Sequence, residues 1–231
     1  MNHIGTLTEK SLHAGLKTYL AQDGDEFECK LGRYVIDIKR GDVLLEIQTR
    51  NFSKIRRKLE NLVEKYTVRL IYPIAEIKWI VKWEELDKLD IGEPLSRRKS
   101  PKKGKLFDVF RELVYIPHLI DHPNFTLEIL LTHQEEIRVN DGQGSWRRKG
   151  WSLHDHRLLE VVAHHKFTGL TDFAALLPAD LPEAFTTKDL RKSLKITPAT
   201  AQKTAYALRE MGVITQVGKR GNAYLYSRNV R

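Results

Sequence analysis

The apolar positions of the chain fall into runs whose period changes from segment to segment, and the changes mark the elements. Over residues 6–20, Leu12, Leu16 and Leu20 recur every four positions. That stripe predicts a helix, opened by a Thr6/Glu9 capping box and stopped by Asp23-Gly24-Asp25. Three short strands follow, at 27–30, 34–39 and 43–48, separated by Leu31-Gly32-Arg33 and Arg40-Gly41-Asp42. In the second, Tyr34, Ile36 and Ile38 share a face; in the third, Val43, Leu45 and Ile47 do. A period of two between glycine turns predicts a hairpin. Residues 53–66 place Ile55, Leu59, Leu62, Val63 and Tyr66 on one helical face, with Ser53 as N-cap. The near-continuous apolar run at 68–74 predicts a strand covered on both faces, and 77–83 a further strand. The order to this point is α-β-β-β-α-β-β.

The pattern then weakens. Residues 106–115 read as a helix and 125–139 as one or two strands. Residues 140–150 (NDGQGSWRRKG) read as a glycine-rich basic loop, and 152–165 as a helix with Ser152 and Asp155 as its capping box. It sharpens again near the end. A short helix at 171–177 precedes Pro178. A second, at 187–194, is capped by Thr186 or Thr187. A third, at 198–211, has Thr197 as N-cap, Pro198 at its first position and Gly212 as its stop. Strands at 213–217 and 224–227 flank Gly218-Lys219-Arg220-Gly221-Asn222. Helix, helix, short turn, helix, basic hairpin is the order of a winged helix. The chain therefore divides into residues 1–95, a linker at 96–105, an α+β middle region at 106–167 and a winged helix at 168–231.

Composition narrows the class. The 231 residues are 41% hydrophobic, too apolar for a disordered chain. A single cysteine, Cys29, excludes disulfide scaffolds, thiolate zinc sites and iron–sulfur clusters. No apolar run approaches the ~20 residues of a membrane span. The first twelve residues carry no apolar signal core, so a cytoplasmic protein with no membrane partner is expected. Basic residues outnumber acidic ones 39 to 30, a net charge of +9 that points to a polyanion. Residues 186–231 hold ten basic residues against two acidic ones, a net +8, and residues 96–105 (SRRKSPKKGK) hold six and none. The remainder is then −5: an acidic body, a basic linker and a basic C-terminal module. DNA is the expected partner, with a second copy of the chain left open.

Two carboxylates interrupt the hairpin. Asp37 alternates with Ile36 and Ile38, and Glu46 and Gln48 alternate with Leu45 and Ile47. A turn at Arg40-Gly41 pairs Ile38 with Val43 and makes Glu46 the diagonal neighbour of Asp37 on one sheet face. Such a pair is an oxygen-ligand site for Mg²⁺ or Mn²⁺. Glu9 sits on the inward stripe of the first helix, where a carboxylate needs a cation or donors. The competing readings are a solvated hairpin face and a Glu9 that merely caps its helix.

Glu9 on a first helix, Asp37 on a strand, Glu46-Ile47-Gln48 nine residues on, then a helix and a strand, resembles the core of the PD-(D/E)XK nucleases over residues 5–83. The resemblance implies a restriction-endonuclease-like αβββαβ fold and metal-dependent hydrolysis of phosphodiesters. It also implies that Asp37, Glu46 and Glu9 hold the metal. In that family a lysine two residues after the glutamate positions the nucleophile; this chain has Gln48 there, as some restriction-type members do. Arg50, Lys39 or Lys54 then remains to supply the cation. The functional expectation is a DNA-binding Mg²⁺- or Mn²⁺-dependent endonuclease. The alternative is a non-catalytic winged-helix regulator on a degenerate nuclease scaffold.

The DNA-reading residues follow from the third C-terminal helix. Ala201, Ala205 and Leu208 pack inward, leaving Thr200, Gln202, Lys203 and Arg209 outside. A recognition helix contacts bases mainly from its N-terminal part, which selects Thr200, Gln202 and Lys203. Lys219 and Arg220 at the hairpin tip are expected on backbone or minor groove. Trp146 with Arg147, Arg148 and Lys149 could hold a strand by stacking and charge, or form a solvated loop.

Overall fold

The computed structural model describes residues 11–84, 92–144, 146 and 150–229. It is a mixed α/β protein with one large sheet and one small one. The elements, in order, are α1 (Ser11–Leu20), β1 (Glu26–Leu31), β2 (Tyr34–Arg40), β3 (Val43–Ile47), α2 (Phe52–Val63), β4 (Thr67–Trp83), β5 (Ser96–Lys99), α3 (Phe110–Leu113), β6 (Phe125–Asn140), β7 (Trp151–Phe167), α4 (Leu170–Ala174), α5 (Thr187–Leu194), α6 (Pro198–Glu210), β8 (Ile214–Arg220) and β9 (Ala223–Arg228). Seven strands form the large sheet in the order β1-β2-β3-β4-β6-β7, with β5 also pairing β4; β8 and β9 form the small one. No described helix is long and apolar enough to cross a membrane.

The chain folds into two compact units that interleave along the sequence. One comprises Gly24–Tyr72, Leu106–Ile129 and His165–Arg231; the other Met1–Asp23, Pro73–Lys105 and Leu130–His164.

In the first unit, β1-β2 and β2-β3 are antiparallel and β3-β4 is parallel. The hairpin turn lies one residue later than the sequence predicts. Gly41 takes φ 55°, and Gly41-Asp42 alone connects Arg40 to its partner Val43, so Ile38 faces Leu45. The register moves by two residues, which keeps every side chain on its face but slides β3 along β2. Ile36, Ile38, Leu44, Leu45, Ile47, Phe52, Leu59, Leu62, Val63, Val68, Leu70 and Ile71 are buried and form the core here. Each contributes roughly 1.5–3 kcal/mol by leaving water. The cap of α2 is not Ser53. Asn51 precedes the helix at φ 60° without a side-chain cap, and the Phe52 N–H donates to the Glu112 carboxylate of α3 at 2.9 Å.

The same unit holds the C-terminal elements. Thr186 and Asp189 form a capping box on α5. Thr197 caps α6, with Pro198 in its first turn. Phe173 of α4 packs between Phe167 and Phe110, at centroid distances of 4.7 and 6.1 Å. α6 packs on α5 and β8, and on its other flank against α3 and the 3-10 turns Leu106–Val109 and Pro117–Leu119.

The second unit corrects two expectations. Residues 152–165 are not a helix: they lie in the 17-residue strand β7. The supposed capping residues serve other partners. Ser152 donates to Asp141 at 2.7 Å, and Asp155 accepts from the Ser11 N–H at 3.0 Å at the start of described α1. The basic segment at 96–105 is not a free linker either. Ser96–Lys99 is strand β5, paired with β4 from Trp79↔Lys99 to Lys82↔Ser96. Beyond it the Ser100 N–H donates to the Lys78 carbonyl at 2.7 Å, and the Gly104 N–H to the Ala75 carbonyl at 2.9 Å. The expected break between strands 68–74 and 77–83 is also absent, since β4 runs unbroken through Pro73. Proline is tolerated there because β4 has left its β3 partner at Ile71 and does not meet β5 until Trp79. Val81, Trp83, Ile137 and Val139 form an apolar cluster in this unit, with Trp79 against it.

Candidate functional site

Two features of the Asp37-containing unit could carry chemistry. The first is the acidic pair. Asp37 is half-buried on β2, and its carboxylate accepts the Ile47 N–H of β3 at 2.7 Å. Glu46 on β3 is buried, at 6% exposure. Both faces of β3 are covered, so Glu46 does not sit on the solvent-reachable face that alternation implied. Instead it meets Lys58 of α2, whose ammonium lies 2.5 Å from Glu46 Oε1 and 2.6 Å from the Val35 carbonyl. A buried carboxylate is tolerable only with such a partner.

Of the other residues read as catalytic, Gln48 and Arg50 come together differently. The Gln48 amide N–H₂ donates to the Arg50 carbonyl, and the Gln48 N–H to the Ile71 carbonyl at 2.9 Å. The Arg50 side chain is exposed. Lys39 is committed to Glu26 at 2.6 Å, and Lys54 is exposed on α2. The cation at the acidic pair is therefore Lys58, which sequence reasoning missed. Its signal was a lysine set between Ile55 and Leu62 on the apolar stripe of α2, three and four positions away. Glu9 lies outside the described residues. Among the described residues no group of three or more His, Cys, Asp or Glu side chains is placed to hold a metal ion. Asp37 and Glu46 offer two carboxylate groups on neighbouring strands, and Mg²⁺ is commonly held by one or two carboxylates with water and substrate phosphate completing its shell.

The second feature is the basic C-terminal surface. The strip of α6 that reaches solvent runs through Ala199, Gln202 and Tyr206, with Arg209 at its edge. Thr200 is buried, at 1%, and accepts from Arg111 Nη2 at 3.3 Å. Lys203 donates to the Arg111 carbonyl at 3.2 Å. The expectation that Thr200 remains outside fails because α3 covers that flank of the helix, whereas Lys203 stays half-exposed. Gln202 stays exposed, as do Lys219 and Arg220 at the end of β8. A groove of about 370 Å³ separates α6 from the hairpin, lined by Gln202, Tyr206, Arg209, Asn222 and Tyr224 among others. A wider concavity of about 660 Å³ follows α5 and presents Lys188, Arg191, Lys192 and Lys195. Arg147, Arg148 and Lys149 lie outside the described residues; Trp146 beside them is 82% exposed.

Residues 10–168 match a family described as a domain of unknown function, DUF8091. The match ends just short of α4, so the C-terminal module follows it. The chain is also similar to an uncharacterized protein of Treponema pallidum (strain Nichols), with 32% identity over 227 residues, covering 96% of this chain and 86% of that protein. That likeness takes in the C-terminal module as well. No solved structure matches.

Proposed function

The chain belongs to the DUF8091 family, and for this member we propose a DNA-binding protein with a Mg²⁺- or Mn²⁺-dependent endonuclease centre at Asp37 and Glu46 and a winged-helix reader at residues 168–231. The observation that carries the reading is the placing of these two carboxylates on neighbouring strands β2 and β3. They lie within the run α1-β1-β2-β3-α2-β4, whose strands neighbour one another in chain order and whose β3 and β4 are parallel. That arrangement resembles the restriction-endonuclease-like core.

Asp37 and Glu46 are the residues that would hold the ion. When bound, it polarises a phosphodiester and lowers the pKa of a water. Asp37 is oriented for this by the Ile47 N–H. To ligate, Glu46 would share its carboxylate between the ion and the Lys58 ammonium, which contacts Oε1. Lys58 would then supply near the acidic pair the cation that Gln48 does not. The basic module supplies affinity through phosphates and holds the duplex near the centre.

The Lys58–Glu46 pair also favours a second reading. An ammonium already neutralises the carboxylate, as it would in a regulator whose nuclease-like core has become a scaffold. Incubation of the full chain with plasmid and with single-stranded DNA, in Mn²⁺, Mg²⁺ or EDTA, separates the two. Nicking or linearisation with the ions and none in EDTA is expected, and Asp37→Asn should abolish it while DNA binding survives. Binding without cleavage under either ion selects the regulator. An Asp37→Asn protein that cuts like wild type places the centre elsewhere.

A further inference from the structure

We infer that the groove between α6 and the β8-β9 hairpin takes a base of single-stranded DNA, stacked on Tyr206 and Tyr224. The inference rests on the DNA-binding reading and specifies the form of DNA that this surface engages.

The argument starts from what α6 has left to offer. Its Thr200 is buried against α3, and Lys203 beside it is half-exposed and donates a hydrogen bond to the Arg111 carbonyl. A helix read edge-on in a major groove works through side chains that form paired hydrogen bonds to base edges, chiefly Arg, Lys, Asn and Gln. The uncovered strip offers Gln202 at its start and then an aromatic ring, Tyr206. Across the groove stands a second ring, Tyr224. The two are 44% and 46% exposed, although large aromatic side chains ordinarily bury most of their surface.

Both rings are matched with cations. The Arg209 guanidinium lies 5.3 Å from the Tyr206 centroid, and the Lys219 ammonium 5.2 Å from that of Tyr224. Each cation lies over its ring, and Arg209 also pairs with Glu210 at 2.6 Å; the ring surface that remains exposed, with charge next to it, suits a ligand that has π-faces and phosphates together. In a duplex the base faces are hidden in the stack and only edges are presented. In a single strand they are open, and each can stack on tyrosine while its phosphate meets the adjacent cation. The groove's volume of about 370 Å³ is of the size that a single nucleotide fills. Gln202 and Asn222 at its lining can hydrogen-bond a base edge once it is inside. The net +8 of residues 186–231 supplies the complementary field for the strand on either side.

The test measures binding of the full chain in EDTA, by fluorescence anisotropy, to labelled oligo(dT) and to a duplex of equal length. Tyr206→Ala and Tyr224→Ala should each weaken single-strand binding about tenfold, with the slope of affinity against salt unchanged. Tyr206→Phe and Tyr224→Phe, which keep the ring, should bind oligo(dT) as wild type does, and duplex binding should be the same in all five proteins. Circular dichroism melts confirm that the alanine variants fold. Alanine variants that bind oligo(dT) like wild type overturn the inference, as do losses of equal size on duplex and single strand or losses shared by the phenylalanine variants. In those cases the wild type still binds DNA and the DNA-binding reading stands. A wild-type chain that binds neither DNA overturns both.

Discussion

Glu136 on β6 shows how a single carboxylate ties stability to pH. It is buried and accepts from Lys78 and from both Arg138 Nε, at 2.7 Å, and Arg138 Nη2, at 2.5 Å. Burial pushes its pKa up, but the hydrogen bonds from Lys78 and Arg138 outweigh that and hold it down at about 2, against an ordinary 4.5. The folded state therefore binds this proton less readily than the unfolded chain. The stability gained is present above about pH 4.5 and drains away as pH falls toward 2. Glu136→Gln, which has no such titration, should be less stable than wild type at neutral pH by about 1–3 kcal/mol. The gap in melting temperature should close as pH falls through that window; a gap that stays constant would show that the ionisation contributes nothing. Lys58 teaches the converse about reading a sequence. Asp37 and Glu46 stand out because they break an apolar alternation, which is local. Their cation comes from the following helix, and its tie to Glu46 is made only by tertiary packing.

At the scale of elements, Gly104 in the segment that follows β5 has an exacting place. A Cβ there would lie 2.5 Å from the Ala75 carbonyl oxygen and 2.7 Å from Ile74 Cγ2. The first is backbone and cannot swing aside. Gly104→Ala should cost about 1–3 kcal/mol, read by denaturant titration, and should weaken the seating of the basic segment against β4. A variant as stable as wild type would mean that this segment is not held as described. The same element shows where local pattern fails. Residues 96–105 look like a tether because like charges dominate, yet backbone hydrogen bonds to β4 hold them irrespective of charge. β7 misleads in a related way. Ser152 and Asp155 have the chemistry of helix caps, but Val161-Val162 and the pairing with β6 decide the outcome, as strand propensity is largely packing. By contrast the first three strands, α2 and the C-terminal helices were legible. Glycine turns, proline and capping threonines bracket them, and their apolar faces are complete within each element. Thr200 was misjudged because a helix of small residues can be buried on two flanks without an obvious apolar stripe.

On the scale of the whole molecule, +8 of the net +9 charge lies in residues 186–231, and the rest of the chain is nearly neutral once the basic segment paired with β4 is counted in it. Lys219 and Arg220 project from the exposed hairpin end of that module. Lys219→Ala with Arg220→Ala should weaken DNA binding for all sequences alike and lower the slope of log affinity against log salt by about 2. Wild-type affinity and slope in the double variant would remove the hairpin from the interface. The mounting of α6 carries a last consequence. One side of this helix packs on α5 and β8, and the other is tied through Arg111 to α3, all within the one compact unit that also contains Asp37. A reader on a flexible leash lets its blade fall at scattered places. One mounted this way works as a ruler, so a nuclease of this build would leave its ends at a constant offset from the base it grips.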